Sequence, residues 1–101
     1  MFIVLLRFSD NKGKAADFMD GHNAWLRRGF EDNVFLMAGS LKPGLGGSVI
    51  AHGISKEAID QRVQEDPFVV ENIVTAEILK IEPRKTDARL NFLLSDSGNS
   101  Q

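Results

Sequence analysis

The alternation of apolar residues begins at once. Phe2, Val4, Leu6 and Phe8 fall on one phase of an extended segment, and Ile3 and Leu5 fall on the other. Apolar residues on both phases predict a strand buried on both faces, and therefore central in its sheet. Ser9 to Gly13 has turn composition, and from Lys14 the period lengthens. Ala15, Phe18, His22, Trp25, Leu26 and Gly29 recur at three- and four-residue steps, while Asp17, Asp20, Asn23, Arg27 and Arg28 point elsewhere. That spacing predicts an amphipathic helix with His22 on its apolar stripe. A second strand is expected over Val34 to Gly39, then a glycine- and proline-rich hairpin loop over Ser40 to Gly47, then a third strand over Ser48 to His52.

Ser55 is placed to cap a second helix, with Glu57 in its first turn and Ala58, Ile59 and Val63 as its apolar face. Pro67 should end that helix near Asp66, because the residue before a proline is driven out of helical geometry. Its carboxylate is then free to turn away from the helix axis. Ile73 to Ile81 reads as a fourth strand that stops before Pro83. Beyond it, Leu90 to Leu94 is apolar enough to dock, and Ser95 to Gln101 is small, polar and expected to fray.

The order strand, helix, strand, strand, helix, strand most simply builds an α+β, ferredoxin-like βαββαβ fold with a four-stranded antiparallel sheet. One domain over residues 1–83 is expected, followed by an extension over residues 84–101. Two helices cover one sheet face only, yet the first and last strands carry apolar residues on both. A homodimer packed sheet face to sheet face is therefore expected, since each Å² of apolar surface removed from water contributes roughly 25 cal/mol.

Composition narrows the partners. Twelve basic and fourteen acidic residues leave a formal net charge of -2, which offers no electrostatic reason to expect nucleic acid or an anionic membrane surface. The chain has no cysteine, so disulfides, thiolate metal sites and a cysteine nucleophile are excluded. The apolar run Phe2 to Leu6 is too short for a signal-peptide core and meets Arg7 at once. A cytoplasmic location is the expectation. His22 and His52 form no metal-ligand motif, and Gly44-Leu45-Gly46-Gly47 precedes a strand rather than the helix a dinucleotide loop requires. Neither a metal nor another cofactor is expected; the expected partner is a small-molecule ligand.

The candidate chemistry rests on His22 and Asp66. The proposed fold puts both helices on the same sheet face, where these two side chains can meet. A carboxylate accepting from one ring nitrogen fixes the tautomer and leaves the other nitrogen to move a proton on a ligand. A histidine on an apolar stripe is also a common core residue, and the pair has no evident nucleophile beside it. Ser40, with Gly39 before it, sits at a strand end and can donate to a ligand, although turn chemistry explains a serine there equally well. Arg7 interrupts the first apolar strand and can meet either a substrate anion or a neighbouring carboxylate. Phe68 and Trp25 can wall a pocket or simply fill the core.

The initial apolar strand, His22 in the first helix, Ala38-Gly39-Ser40 at the end of the second strand, and Asp66-Pro67-Phe68 before the fourth together resemble the YCII-related (YciI-like) family over roughly Met1 to Ile81. The resemblance implies a ferredoxin-like subunit of a dimeric α+β barrel, with His22 and Asp66 matching the family's catalytic pair. It also implies a small-molecule enzyme of lyase, isomerase or dehydrochlorinase type, since the family includes a dehydrochlorinase of a chlorinated hydroxyhydroquinone. The segment from Arg84 onward lies outside the pattern. The alternative expectation is a ligand-binding or accessory dimer in which the pair only ties the helices together. On either expectation the protein sediments as a dimer at micromolar concentration, and a monomer there would contradict the uncovered-face reasoning.

Overall fold

A computed structural model describes residues 1–94; the expectation for Ser95 to Gln101 lies outside the described residues. The chain runs β1 (Phe2–Phe8), α1 (Ala15–Glu31), β2 (Phe35–Leu41), β3 (Gly46–Ala51), α2 (Lys56–Gln64), α3 (Pro67–Val70) and β4 (Val74–Lys80), with short 3-10 turns at Lys12–Lys14 and Ala88–Leu90. The four strands form one antiparallel sheet in the order β2-β3-β1-β4, so the expected ferredoxin-like α+β fold is present and β1 is central. No helix among the described residues is long and apolar enough to cross a membrane.

The periods set the layers. Phe2, Val4 and Leu6 are buried under the helices, while Ile3 and Leu5 on the other phase are only partly covered. Across the uncovered face, Met37, Ile50, Ile3 and Leu79 stand opposite one another in consecutive strands, and Met37 and Leu79 are 57% and 42% exposed. On the covered face Trp25 anchors the core at 1% exposure. Its indole N–H donates to the Arg62 carbonyl at 2.8 Å, which ties α1 to α2 and satisfies the one polar atom of a large buried ring. Ser55 caps α2 as expected, its hydroxyl accepting from the Ala58 N–H.

Two boundaries differ from the sequence expectation. The glycine-rich stretch is not all loop: Ser40 and Leu41 extend β2, and Gly46 and Gly47 pair in β3, leaving a four-residue connection. Glycine weakens a strand locally, but pairing with strands on both sides overrides that preference. Pro67, expected only to stop a helix, also begins one. Asp66 is the N-cap of α3 and Pro67 occupies its first turn, where a missing N–H costs nothing.

Gly29 lies on the buried side of α1, and a Cβ there would run into the ring of Phe35. Gly29→Ala gains about 1 kcal/mol of helix propensity but overpacks the α1–β2 contact, which typically costs about 1–3 kcal/mol. The net effect expected in urea denaturation is destabilisation; an unchanged or raised midpoint would show that Phe35 repacks freely.

Candidate functional site

Asp66 leaves helical geometry with φ -66° and ψ 123°, and this turns its carboxylate back over the start of α3. Oδ1 accepts from the Phe68 N–H at 3.0 Å and lies 2.8 Å from His22 Nδ1. Asp66 is fully buried, and the His22 side chain is 14% exposed. An ionised carboxylate only accepts, so the pairing assigns the hydrogen to Nδ1 and leaves Nε2 as the nitrogen open to a ligand. The other carboxylate oxygen, Oδ2, is buried and has no hydrogen-bond partner among the described residues.

The imidazole is held on its face as well as its edge. The Phe68 ring stacks on it with centroids 4.0 Å apart and planes 3° apart, and the Trp25 ring lies 5.9 Å away at 26°. Asp66 and Phe68 thus constrain the same ring from two directions, one through a hydrogen bond and the other through dispersion. Pro67 between them packs on Gly21 of α1, where a Cβ would sit 3.0 Å from the proline Cγ.

His22 borders a cleft of about 320 Å³ between α1 and the β2–β3 end of the sheet. That volume is at the lower end of the range for small-molecule sites, ~300–1,000 Å³. Leu26 joins His22 on the helix side, Leu6, Ser40 and Gly47 form the sheet side, and Phe68 closes one end. None of the described residues lining it is Asp, Glu, Lys or Arg. No three His, Asp or Glu side chains among the described residues converge as a metal site would require.

The sequence candidates divide. His22, Gly39, Ser40 and Phe68 border the cleft, and Asp66 stands behind His22 without lining it. Arg7 is elsewhere: adjacent strand positions face opposite ways, so while Leu6 and Phe8 meet the cleft, Arg7 lies on the uncovered face with its guanidinium 2.7 Å from Glu77. Trp25 is core, spent on the Arg62 carbonyl and the imidazole rather than on the cleft. Most of the other lining residues are not candidates by sequence, Asn23, Gly47 and Ser48 among them. Asn23 is expected on the polar side of α1, yet the cleft opens beside His22 and takes in its neighbour; Gly47 and Ser48 flank the expected boundary between loop and third strand. Small residues flanking a predicted strand edge were the available signal.

No protein-family model matches this chain, and no curated protein sequence matches it. Among solved structures, 5-chloro-2-hydroxyhydroquinone dehydrochlorinase (TftG) from Burkholderia phenoliruptrix AC1100, in complex with 2,5-dihydroxybenzoquinone, is similar in fold. The two superpose with a TM-score of 0.65 at 16% identity, over 80% of this chain and 93% of that one. At that identity the likeness establishes the shared ferredoxin-like α+β architecture.

Asp66→Ala removes a helix cap and leaves a part-buried imidazole N–H unpaired, so a loss of about 1–3 kcal/mol is expected in chemical denaturation. Asp66→Asn keeps an acceptor for the Phe68 N–H and should cost less. Equal losses in the two variants would mean that the cap contributes little.

Proposed function

We propose that this protein is a small-molecule enzyme of the YciI-like type, in which His22, oriented by Asp66, moves a proton in a lyase, isomerase or dehydrochlorinase reaction. The observation that carries the reading is the 2.8 Å contact between His22 Nδ1 and a fully buried carboxylate at the wall of an open cleft. Nε2 takes a proton from the substrate and the electron pair of the broken bond moves into the ring or chain. In elimination that pair expels chloride; in isomerisation the same nitrogen returns the proton to a different atom. Asp66 keeps the tautomer correct and stabilises the imidazolium formed in between. The fold shared with a dehydrochlorinase and the order of His22, Ala38-Gly39-Ser40 and Asp66-Pro67-Phe68 support the same class. The apolar row Met37, Ile50, Ile3 and Leu79 supports a homodimer closed through the uncovered sheet faces.

One contact favours a non-catalytic role instead. Asp66 Oδ1 serves the α3 cap and His22 together, so the pair also ties α1 to α3, as it would in a binding or accessory protein. The two roles separate in a screen of chlorinated hydroquinones for chloride release and of ring ketones for solvent deuterium uptake. His22→Ala is expected to lower the rate by about 10²–10⁴-fold while the protein stays folded. Ligand binding without turnover in the unaltered protein, together with lost stability in His22→Ala and Asp66→Asn, would assign the pair to structure.

A further inference from the structure

The inward positions of the sheet are not evenly filled. Across the core, one row runs Val4, Val49 and Ala38, and the next row toward the cleft runs Leu6, Gly47 and Ser40. At the centre of that second row there is no side chain. Glycine is unfavourable inside a strand, so its presence at an inward, paired position needs a physical reason.

Backbone conformation supplies the reason at one neighbour but not here. Gly46 has φ +134°, and a Cβ there would run into the Leu6 carbonyl, so glycine is required by the chain path. Gly47 lies outside the left-handed region, and the nearest atom to a Cβ there is the Gly39 carbonyl oxygen at 3.3 Å. A methyl group would fit with a small adjustment, and larger side chains would extend into the cleft. What glycine provides at position 47 is empty space above bare peptide.

We propose that Gly47 is a specificity-determining residue: its missing side chain leaves a flat patch of backbone on the cleft floor, on which a planar single-ring substrate lies face-on within reach of His22. This rests on the cleft being the substrate site, as proposed above. Peptide planes offer a continuous flat surface to a planar ring, whereas a puckered ring meets the same surface only through its projecting hydrogens. The cleft volume of about 320 Å³ is about twice the ~150 Å³ of a cavity that takes benzene, which leaves room for one six-membered ring with its substituents. Asn23 and Ser40 supply hydrogen-bonding side chains along the lining, and with no Asp, Glu, Lys or Arg among the described lining residues, ring contact and hydrogen bonding are the means of recognition.

The test compares hydroquinone with cyclohexane-1,4-diol, which has the same ring size and two hydroxyls but is puckered, by following the His22 ring protons in NMR titrations. The full chain should bind hydroquinone at least about tenfold more tightly. Gly47→Val should weaken hydroquinone by a similar factor and erase the preference, and Gly47→Ala should weaken it less, with melting temperatures close to that of the unaltered protein. If Gly47→Val does not fold, the drop in Gly47→Ala decides. Equal affinity for the two rings, no binding of hydroquinone, or unchanged binding in the folded variants would overturn the proposal. Because the readout is binding, the expected pattern without any turnover would remove the catalytic reading and leave the role of Gly47 intact.

Discussion

One carboxylate oxygen connects the helices around the candidate site. Oδ1 of Asp66 accepts from the backbone at the start of α3 and pairs with His22 on α1, so the geometry of a short helix and the orientation of a distant imidazole are set by the same atom. Burial makes the arrangement demanding. A carboxylate with no exposed surface has no water to substitute for a lost partner, and leaving either donor unmatched carries its desolvation cost. The other oxygen, Oδ2, is buried with no hydrogen-bond partner among the described residues.

The aromatic contacts complete what the carboxylate begins. Phe68 follows Asp66 by two residues, and the same turn that aims the carboxylate also lays the phenyl ring on the imidazole. Trp25, one helical turn beyond His22, is fixed to the end of α2 through Arg62 and supports the imidazole from its own helix. Three helices therefore hold one side chain in place, with Nδ1 engaged by Asp66. Preorganisation of that kind is useful for proton transfer, where small errors of position are costly.

The sheet contributes by what it omits. Toward β1 and β4 its inward positions carry Leu6, Phe8 and Val74; toward β2 and β3 they carry Ala38, Ser40 and Gly47. The cleft opens where Leu6 and Phe8 meet the second group beneath α1. Small residues at inward positions of β2 and β3 leave room for it.

The strand and helix periods, the cap at Ser55 and the two-sided apolar character of β1 were legible in the chain alone, because each depends on neighbours a few residues away. So were the identities of His22 and Asp66, since a histidine on an apolar stripe and an acid before proline are both local irregularities. The start of α3 at Pro67, the pairing of Gly46 and Gly47, and the division of Arg7 and Trp25 from the cleft were decided by tertiary structure. Each depends on partners brought in from distant segments. A proline reads the same whether it ends one helix or begins another, and a glycine reads as a loop until strands on both sides claim it. Periodicity determined which residues face inward; only the packing of α1 and α3 over the sheet decided which inward residues meet each other and which are left facing open space.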